Sequence, residues 1–466
     1  MRTLPEFALS WTWGAAPPDQ CAEFTATWAS LRISVGEQVL SLAVDPDTSA
    51  SRTHIEVPLY SLAEWVAFNW WSLTADLRPG TQISQLRFAY RNGVGDQRGP
   101  WWVRSRRHVL RAAGDGFWWP DVLFYSEGRE TRVVWMPDNE TPPRSPYRFV
   151  GRGNPTVSTA AFHRTLAEFV DAVVARLDEQ GVTDTPLHTE WAAVRGAGDA
   201  ETALFQKVAA LGLDPYTESE RHEADITAAV QDLPSHLVFD FFNGVGANRV
   251  RDQVGWLDRV REQTGTGSAP LGPVLEELRA ACADLAERFY DDSSTENPWQ
   301  IGFLTARRVR ETLGVPDTEP FDFGSLFSHR VEPVPYLDRG LVAYGSRTGV
   351  DGPVLVSTRP YSEPALRFLL GRALWHLVCD REDTFVIVAA HTHRQAVARG
   401  FSLELLAPAA GIAEFLADPE HLVTSEDVDH MADHFGCGTL VVEHQLDNRV
   451  LAFDFPWSGP RSEQAA

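Results

Sequence analysis

The sequence predicts a multi-domain α+β protein with a tryptophan-rich mixed module, a helical middle and a mixed C-terminal region. Three observations carry this prediction. First, 466 residues exceed what one ordinary hydrophobic core serves, so two to four domains are expected. Second, eleven of the sixteen tryptophans stand before residue 136, among segments that alternate like strands. Third, apolar spacing changes to a helical period after a stretch rich in proline and glycine, and both periods return beyond about residue 330.

Composition narrows the class. An apolar share of 44% with 23% charged residues is ordinary for a soluble globular chain. Residues 1–10 hold no apolar core of a secretory signal, and no run approaches the roughly 18 apolar residues of a membrane span. Cys21, Cys282, Cys379 and Cys437 lie far apart without a CxxC pair, which fits reduced thiols and a cytoplasmic location. One lysine, Lys207, among abundant arginines suggests a GC-rich bacterial source. A formal charge of −23 repels phosphate and argues against nucleic acid as the main partner. Arg104, Arg106, Arg107 and Arg111 around His108 are the local exception, read as a solvated loop.

Residues 1–150 form the first unit. Leu31–Val35 alternates, turns at Gly36-Glu37 and resumes at Val39–Val44, while Val122–Tyr125 and Thr131–Trp135 flank a turn at Glu127-Gly128. Between these hairpins Ser61 is placed to cap a helix over 62–73. Most tryptophans are expected in the core. If Trp101-Trp102 or Trp118-Trp119 lay in a strand, one ring of each pair would face outward.

Pro137 to Pro155 reads as a linker into a helical domain over 151–325. Ser158 or Thr159 opens its first helix, which carries the stripe Phe162, Leu166, Phe169, Val170, Val173 and Leu177 and closes at Gly181. Further helices are expected near 200–211, 218–230, 250–261, 271–290 and 299–313. Gly244 and Gly246 read as a turn rather than a phosphate loop, because no Lys-Ser/Thr follows. The third domain, 326–456, offers strands at 340–344, 354–357 and 384–389. Its expected helices run over 364–379, 392–406, 425–435 and 439–446, and residues 457–466 read as a flexible tail.

The chemistry gathers on 367–378, Arg-Phe-Leu-Leu-Gly-Arg-Ala-Leu-Trp-His-Leu-Val. A zinc-peptidase helix needs H-E-x-x-H, in which two imidazoles one turn apart hold the metal and the glutamate activates water. His376 stands at the second histidine position, Arg372 at the first and Ala373 at the glutamate. About twenty residues on, Gln395-Ala-Val-Ala-Arg-Gly-Phe-Ser-Leu-Glu-Leu-Leu-Ala-Pro408 follows.

Together with the hairpin 352–358, the Arg367-Phe368 pair and the segment 426–437, these residues resemble the ImmA/IrrE-type zinc peptidases. The likeness covers about 335–450, with a weaker echo at 299–316. It implies a zincin-like C-terminal domain. In that family the second helix carries a glutamate ligand followed by a packing pattern that Ala398, Phe401, Leu405, Leu406 and Pro408 match; here the ligand position is Gln395. Charged arginine does not ligate zinc, neutral glutamine is a poor replacement for carboxylate, and alanine is no base. The resemblance therefore implies a pseudo-peptidase with no catalytic residue and no bound metal. It would bind a protein partner as a regulator or scaffold in a bacterial stress-response or phage-defence type system.

Two alternatives stay open. His391 and His393 with His376 could hold zinc in a displaced site, with Glu382, Asp383 or Glu404 behind them, giving an active metallopeptidase. Alternatively Arg372, with His376 and Gln395, could bind an anionic ligand or form an internal salt bridge. His430 and His434, spaced i, i+4 among Asp429 and Asp433, read as a solvated acidic face.

Overall fold

The computed structural model describes residues 4–45, 47–77, 100–126, 128–138, 148–265, 271–291, 298–324, 326–334, 340–416 and 423–450. The protein is mixed α+β, and its described residues form four small sheets and many helices. It divides into two compact units, 3–226 and 227–466. The division falls inside one helix, Pro215–Asp232.

Unit 3–226 begins with β1 (Phe7–Trp13), α1 (Ala22–Thr27) and β2 (Trp28–Val35). β2 is central: β1 pairs antiparallel along it from Phe7↔Val35 to Trp13↔Ala29. Its other partners are β3 (Gln38–Val39) and, further on in the chain, β6 (Ile55–Pro58). Gly36, at φ 56°, supplies the left-handed turn between β2 and β3. β4 (Ala43–Val44) and β5 (Ser51–Arg52) form a small second sheet with β9. Next come α2 (Leu59–Phe68), α3 (Trp70–Ala75) and α4 (Pro100–Arg106). The third sheet contains the hairpin β7 (Val122–Ser126) and β8 (Glu130–Trp135). Then β9 (Arg148–Phe149) and β10 (Thr156–Ser158) lead into α5 (Thr159–Glu179), with β10 pairing β8. Three helices follow: α6 (Pro186–Gly196), α7 (Asp199–Ala210) and α8 (Pro215–Asp232).

Several expectations need correction here. The helical domain over 151–325 is not a unit of its own. The stripe of α5, from Phe162 to Leu177, packs in one core with Phe7, Leu31 and Phe124 of the preceding strands. Buried Phe149 likewise ties part of the expected linker to the fold; residues 139–147 lie outside the described residues. Ser61 caps nothing, because the chain is already helical from Leu59, directly after Pro58. The expected 62–73 helix breaks at Asn69, whose Nδ2 donates to Trp65 O at 2.7 Å in competition with the helical ladder. Trp101-Trp102 belong to α4 rather than a strand, and Trp118-Trp119 to an irregular segment in which Trp119 is fully buried. Trp28, Trp65, Trp71 and Trp135 are also buried, as a core role predicts. Glu127, at the expected second turn, lies outside the described residues, as does the 457–466 tail.

Nor are the arginines of 104–111 merely a solvated loop. Arg104 pairs with buried Asp76, which also accepts from His108 Nε2 at 3.2 Å. Arg111 pairs with Asp138 at 2.6 Å and covers the Trp118 ring. These cations serve internal carboxylates.

Unit 227–466 opens with α9 (Ser235–Gly244) and α10 (Val250–Thr264). The expected helix over 271–290 is two, α11 (Pro273–Ala281) and α12 (Ala283–Tyr290), parted at Cys282 (φ −104°, ψ 7°). Then come α13 (Pro298–Thr312), β11 (Ser328–Val331), β12 (Leu341–Gly349) and β13 (Gly352–Ser357). The remainder is α14 (Glu363–Cys379), β14 (Thr384–Val388), α15 (His393–Leu406), α16 (Ala409–Leu416), α17 (Ser425–Phe435) and α18 (Thr439–Val450).

The sheet runs β11-β13-β12-β14, with β11 parallel to β13 and the other pairings antiparallel. Leu369, Ala373 and Leu377 of α14 lie against Ala343, Leu355, Phe385 and Ile387 of the sheet. A larger core beyond joins α14 and α15 to α13, α17 and α18 through Trp375, Phe401, Leu405, Val309 and Phe435. α13 crosses α15 at Gly302 and Gly400: a Cβ on Gly302 would stand 2.4 Å from Val397 O. The run His393–Leu416 passes a length and hydropathy test for a membrane span, but 67% of that window is buried in the fold. It is also interrupted at Ala407-Pro408, between α15 and α16.

Candidate functional site

The residues that the sequence singled out sit where α14, β14 and the first turn of α15 meet. α15 starts there because Thr392 caps it, its Oγ1 accepting from Gln395 N at 3.2 Å. That capping hydroxyl also donates to Asp240 Oδ1 at 2.6 Å, so α9 joins the site. Gln395 is fully buried, and its amide is used completely. Its Oε1 accepts from Arg372 Nη2 and from Val388 N, the latter at 3.2 Å. Its Nε2 donates to Val386 O at 2.9 Å and to Asp240 Oδ2 at 3.2 Å. A carboxylate cannot donate, so this position requires an amide rather than the acid of a metal ligand.

Arg372, 6% exposed, donates from Nη2 to Val388 O at 2.8 Å besides Gln395. Its Nε is buried without a partner, and no carboxylate among the described residues lies within ion-pair distance of it. The internal salt bridge considered for Arg372 is therefore not formed; a neutral amide separates it from Asp240. Burial above all, and Arg399 next, push the Arg372 guanidinium well below its ordinary pKa. Ala373, one residue on, faces the sheet and is fully buried in its apolar layer.

One turn along α14, His376 is completely buried, stacked on Phe385 at 4.6 Å and edge-on to Trp375. Its Nδ1 donates to Asp380 Oδ2 at 2.7 Å, which leaves Nε2 buried and unpaired. Burial lowers the imidazole's pKa, with Asp380 offsetting part of the effect, so the ring is neutral near pH 7. Asp380 also receives both arms of Arg394, whose Nε lies at 3.1 Å, and the Tyr290 hydroxyl at 3.3 Å. Burial raises its pKa, but His376 and Arg394 prevail and hold the carboxyl well below the usual range. Tyr290 is pushed up to about 12 by burial and by Asp380, which keeps it a donor. Arg394 reaches across to Asp240 at 3.8 Å and closes the network.

Arg372 is bonded to Gln395, while His376, one turn along α14, is bonded to Asp380 instead; Asp240, Asp380 and Arg394 were missed by sequence reasoning. Asp380 was findable, since it stands four residues after His376 at the helix end. Asp240 shares its helix with buried Leu237, Phe241 and Phe242, and a lone acid among such residues is a signal for a buried network. Nothing in the sequence marked Arg394.

The displaced metal site is not assembled: among the described residues no three His, Cys, Asp or Glu side chains stand together as a metal site. His391 is exposed at the strand-to-helix junction, and His393 stacks on Phe289 at 5.1 Å. Glu404 is engaged elsewhere, by Arg307 and Gln445 at 2.7 Å each. His430 and His434 lie exposed on α17, where His434 Nε2 bonds Thr318 O at 2.7 Å. The arrangement holds buried charge and ties α9, α14 and α15 together. Comparison with protein-family models, with curated proteins and with solved structures found no match for this chain.

Proposed function

We propose that region 326–456 is a peptidase-like scaffold that does not cleave and instead binds a protein partner. Its role would be that of a regulator or scaffold in a bacterial stress-response or phage-defence type system. The observation that carries this reading is the use of Gln395. Its amide joins Arg372, Asp240 and two strand backbone groups, in the place where the resembled family carries an acidic zinc ligand. With Ala373 turned into the sheet core and His376 committed to Asp380, ligand and base positions alike serve structure. A scaffold of this kind retains surface and shape, which suit recognition.

The test has two parts. Purified protein is analysed for zinc and assayed for cleavage of the proteins encoded beside its gene. Binding to those proteins is then measured by calorimetry. Sub-stoichiometric zinc, no cleavage and a saturable complex with one of them are expected. Stoichiometric zinc lost in His391→Ala or His393→Ala, together with metal-dependent cleavage, would overturn the proposal in favour of a metallopeptidase.

A further inference from the structure

We infer that the outer edge of β1 is an interface at which a second copy of this chain adds its own β1, antiparallel, across a two-fold axis. The inference stands apart from the reading of region 326–456, because β1 belongs to the other unit. Its starting point is a row of backbone groups without partners. In an antiparallel pair alternate residues bond the neighbouring strand, and the residues between them point N–H and C=O away from it. Gly14 N donates to Trp28 O and Gly36 N to Glu6 O, which sets the phase: the even-numbered residues of β1 bond β2. The backbone groups of Phe7, Leu9, Trp11 and Trp13 therefore face the opposite edge. Among the described residues no strand pairs that edge, and a single long bond reaches it, from Thr165 Oγ1 to Phe7 O at 3.4 Å. The small side chains of Ala8, Ser10 and Thr12 are exposed beside it.

Proteins ordinarily guard an open edge with lysine, proline, a bulge or a very short strand. β1 has none of these. Its sequence, Phe-Ala-Leu-Ser-Trp-Thr-Trp, runs seven residues in unbroken register with β2 and carries no charge. A second β1 suits this edge because the strand is complementary to itself. Centred on Ser10, antiparallel pairing of two copies overlaps the whole strand, with Phe7 facing Trp13 and Leu9 facing Trp11. Those are the residues whose backbone groups point outward, so each facing pair exchanges two hydrogen bonds. Aromatic rings then oppose aliphatic or aromatic side chains, a favourable kind of cross-strand pair. Charge agrees with this register. The adjoining acid, Glu6, comes to face the second copy's Gly14 rather than a second Glu6, so like charges do not meet although the chain carries −23 overall. A strand pair alone is smaller than the roughly 1,200–2,000 Å² of a stable interface, so the dimer dissociates on dilution.

Sedimentation velocity of the full chain follows its mass from dilute solution to the highest soluble concentration. A reversible rise from 51.8 kDa toward twice that mass is expected. Ser10 faces its own copy on the axis, so Ser10→Lys opposes two like charges. It should weaken the dimer about fivefold, with near-ultraviolet circular dichroism showing the fold intact. Ser10→Cys is made in Cys21→Ser protein, so that no exposed thiol competes. It brings two thiols to facing positions with Cα atoms about 4.5 Å apart, within disulfide reach. Diamide should then give a covalent dimer, and far less of it from Thr12→Cys in the same background, since Thr12 faces Ala8. Should Ser10→Lys fail to fold, the cross-link carries the test. A monomer at every concentration refutes the inference, including one whose edge instead takes up an extended peptide of another protein. So does a dimer that Ser10→Lys leaves unchanged or that Ser10→Cys does not cross-link, because its interface then lies elsewhere.

Discussion

Gln395 concentrates the physics of this centre in one side chain. It accepts from a buried cation and a strand amide while donating to a buried acid and a strand carbonyl. Methionine has similar volume and no hydrogen bonds, so Gln395→Met removes the bonds without opening a cavity. It should cost about 3 kcal/mol or more in urea unfolding, because Arg372, Asp240, Val386 O and Val388 N lose their partner together. Ala373 tests the neighbouring position. A glutamate there enters an apolar layer with no cation, and Ala373→Glu should cost about 4 kcal/mol, read from the same titration. An unchanged midpoint would mean that the side chain escapes the sheet face and that Ala373 is misplaced. At this scale the sequence was readable where spacing carried information: Arg372, His376 and Gln395 fall on adjoining helix faces at predictable turns. Asp240 comes from a helix more than a hundred residues upstream, and its arrival depends on tertiary packing that no local period encodes.

Among elements, the helix pair α13 and α15 shows how close packing is specified. Gly302 and Gly400 let two backbones approach until a Cβ on Gly302 would stand 2.4 Å from Val397 O and 2.6 Å from Phe401 N. Backbone cannot move aside as a flexible side chain does. Gly302→Ala should therefore destabilise by about 2 kcal/mol despite alanine's better helix propensity. Chemical denaturation separates the two effects by sign: a gain in stability would show that the crossing is looser than described. Helix ends were read well where caps were local, as with Ser158 before α5 and the Thr392 cap of α15. They were misread where no proline or glycine stands at the break. Asn69 parts α2 from α3 through a side-chain bond, and Cys282 parts α11 from α12 without any proline or glycine to announce it.

For the molecule as a whole, the sequence suggested three domains and the fold has two compact units, because a change in periodicity marks a change of element rather than of core. The stripe of α5 reads as a new helical domain, yet it completes the core of the strands before it. His163 on that same helix makes the consequence measurable. Largely buried beside Trp70, it is brought down to about 4 by burial, with a backbone bond to Leu73 opposing. A depressed folded-state histidine binds fewer protons than its unfolded form between pH 6.5 and 4. Its contribution is thus present above 6.5 and is lost as pH falls through that window, by about 3 kcal/mol. Asp76 then takes over. Burial raises it, but Arg104 and His108 bring it down to about 2, and its contribution disappears as pH falls from near 4 toward 2, by about 2 kcal/mol. Twelve of the sixteen tryptophans lie in unit 3–226, so intrinsic fluorescence reports chiefly on it. Urea midpoints followed this way should decline in two stages on acidification. His163→Leu should flatten the first stage and leave the second. If the variant declines between pH 6.5 and 4 as steeply as the parent, the loss belongs to another group and the buried, neutral state of His163 is refuted.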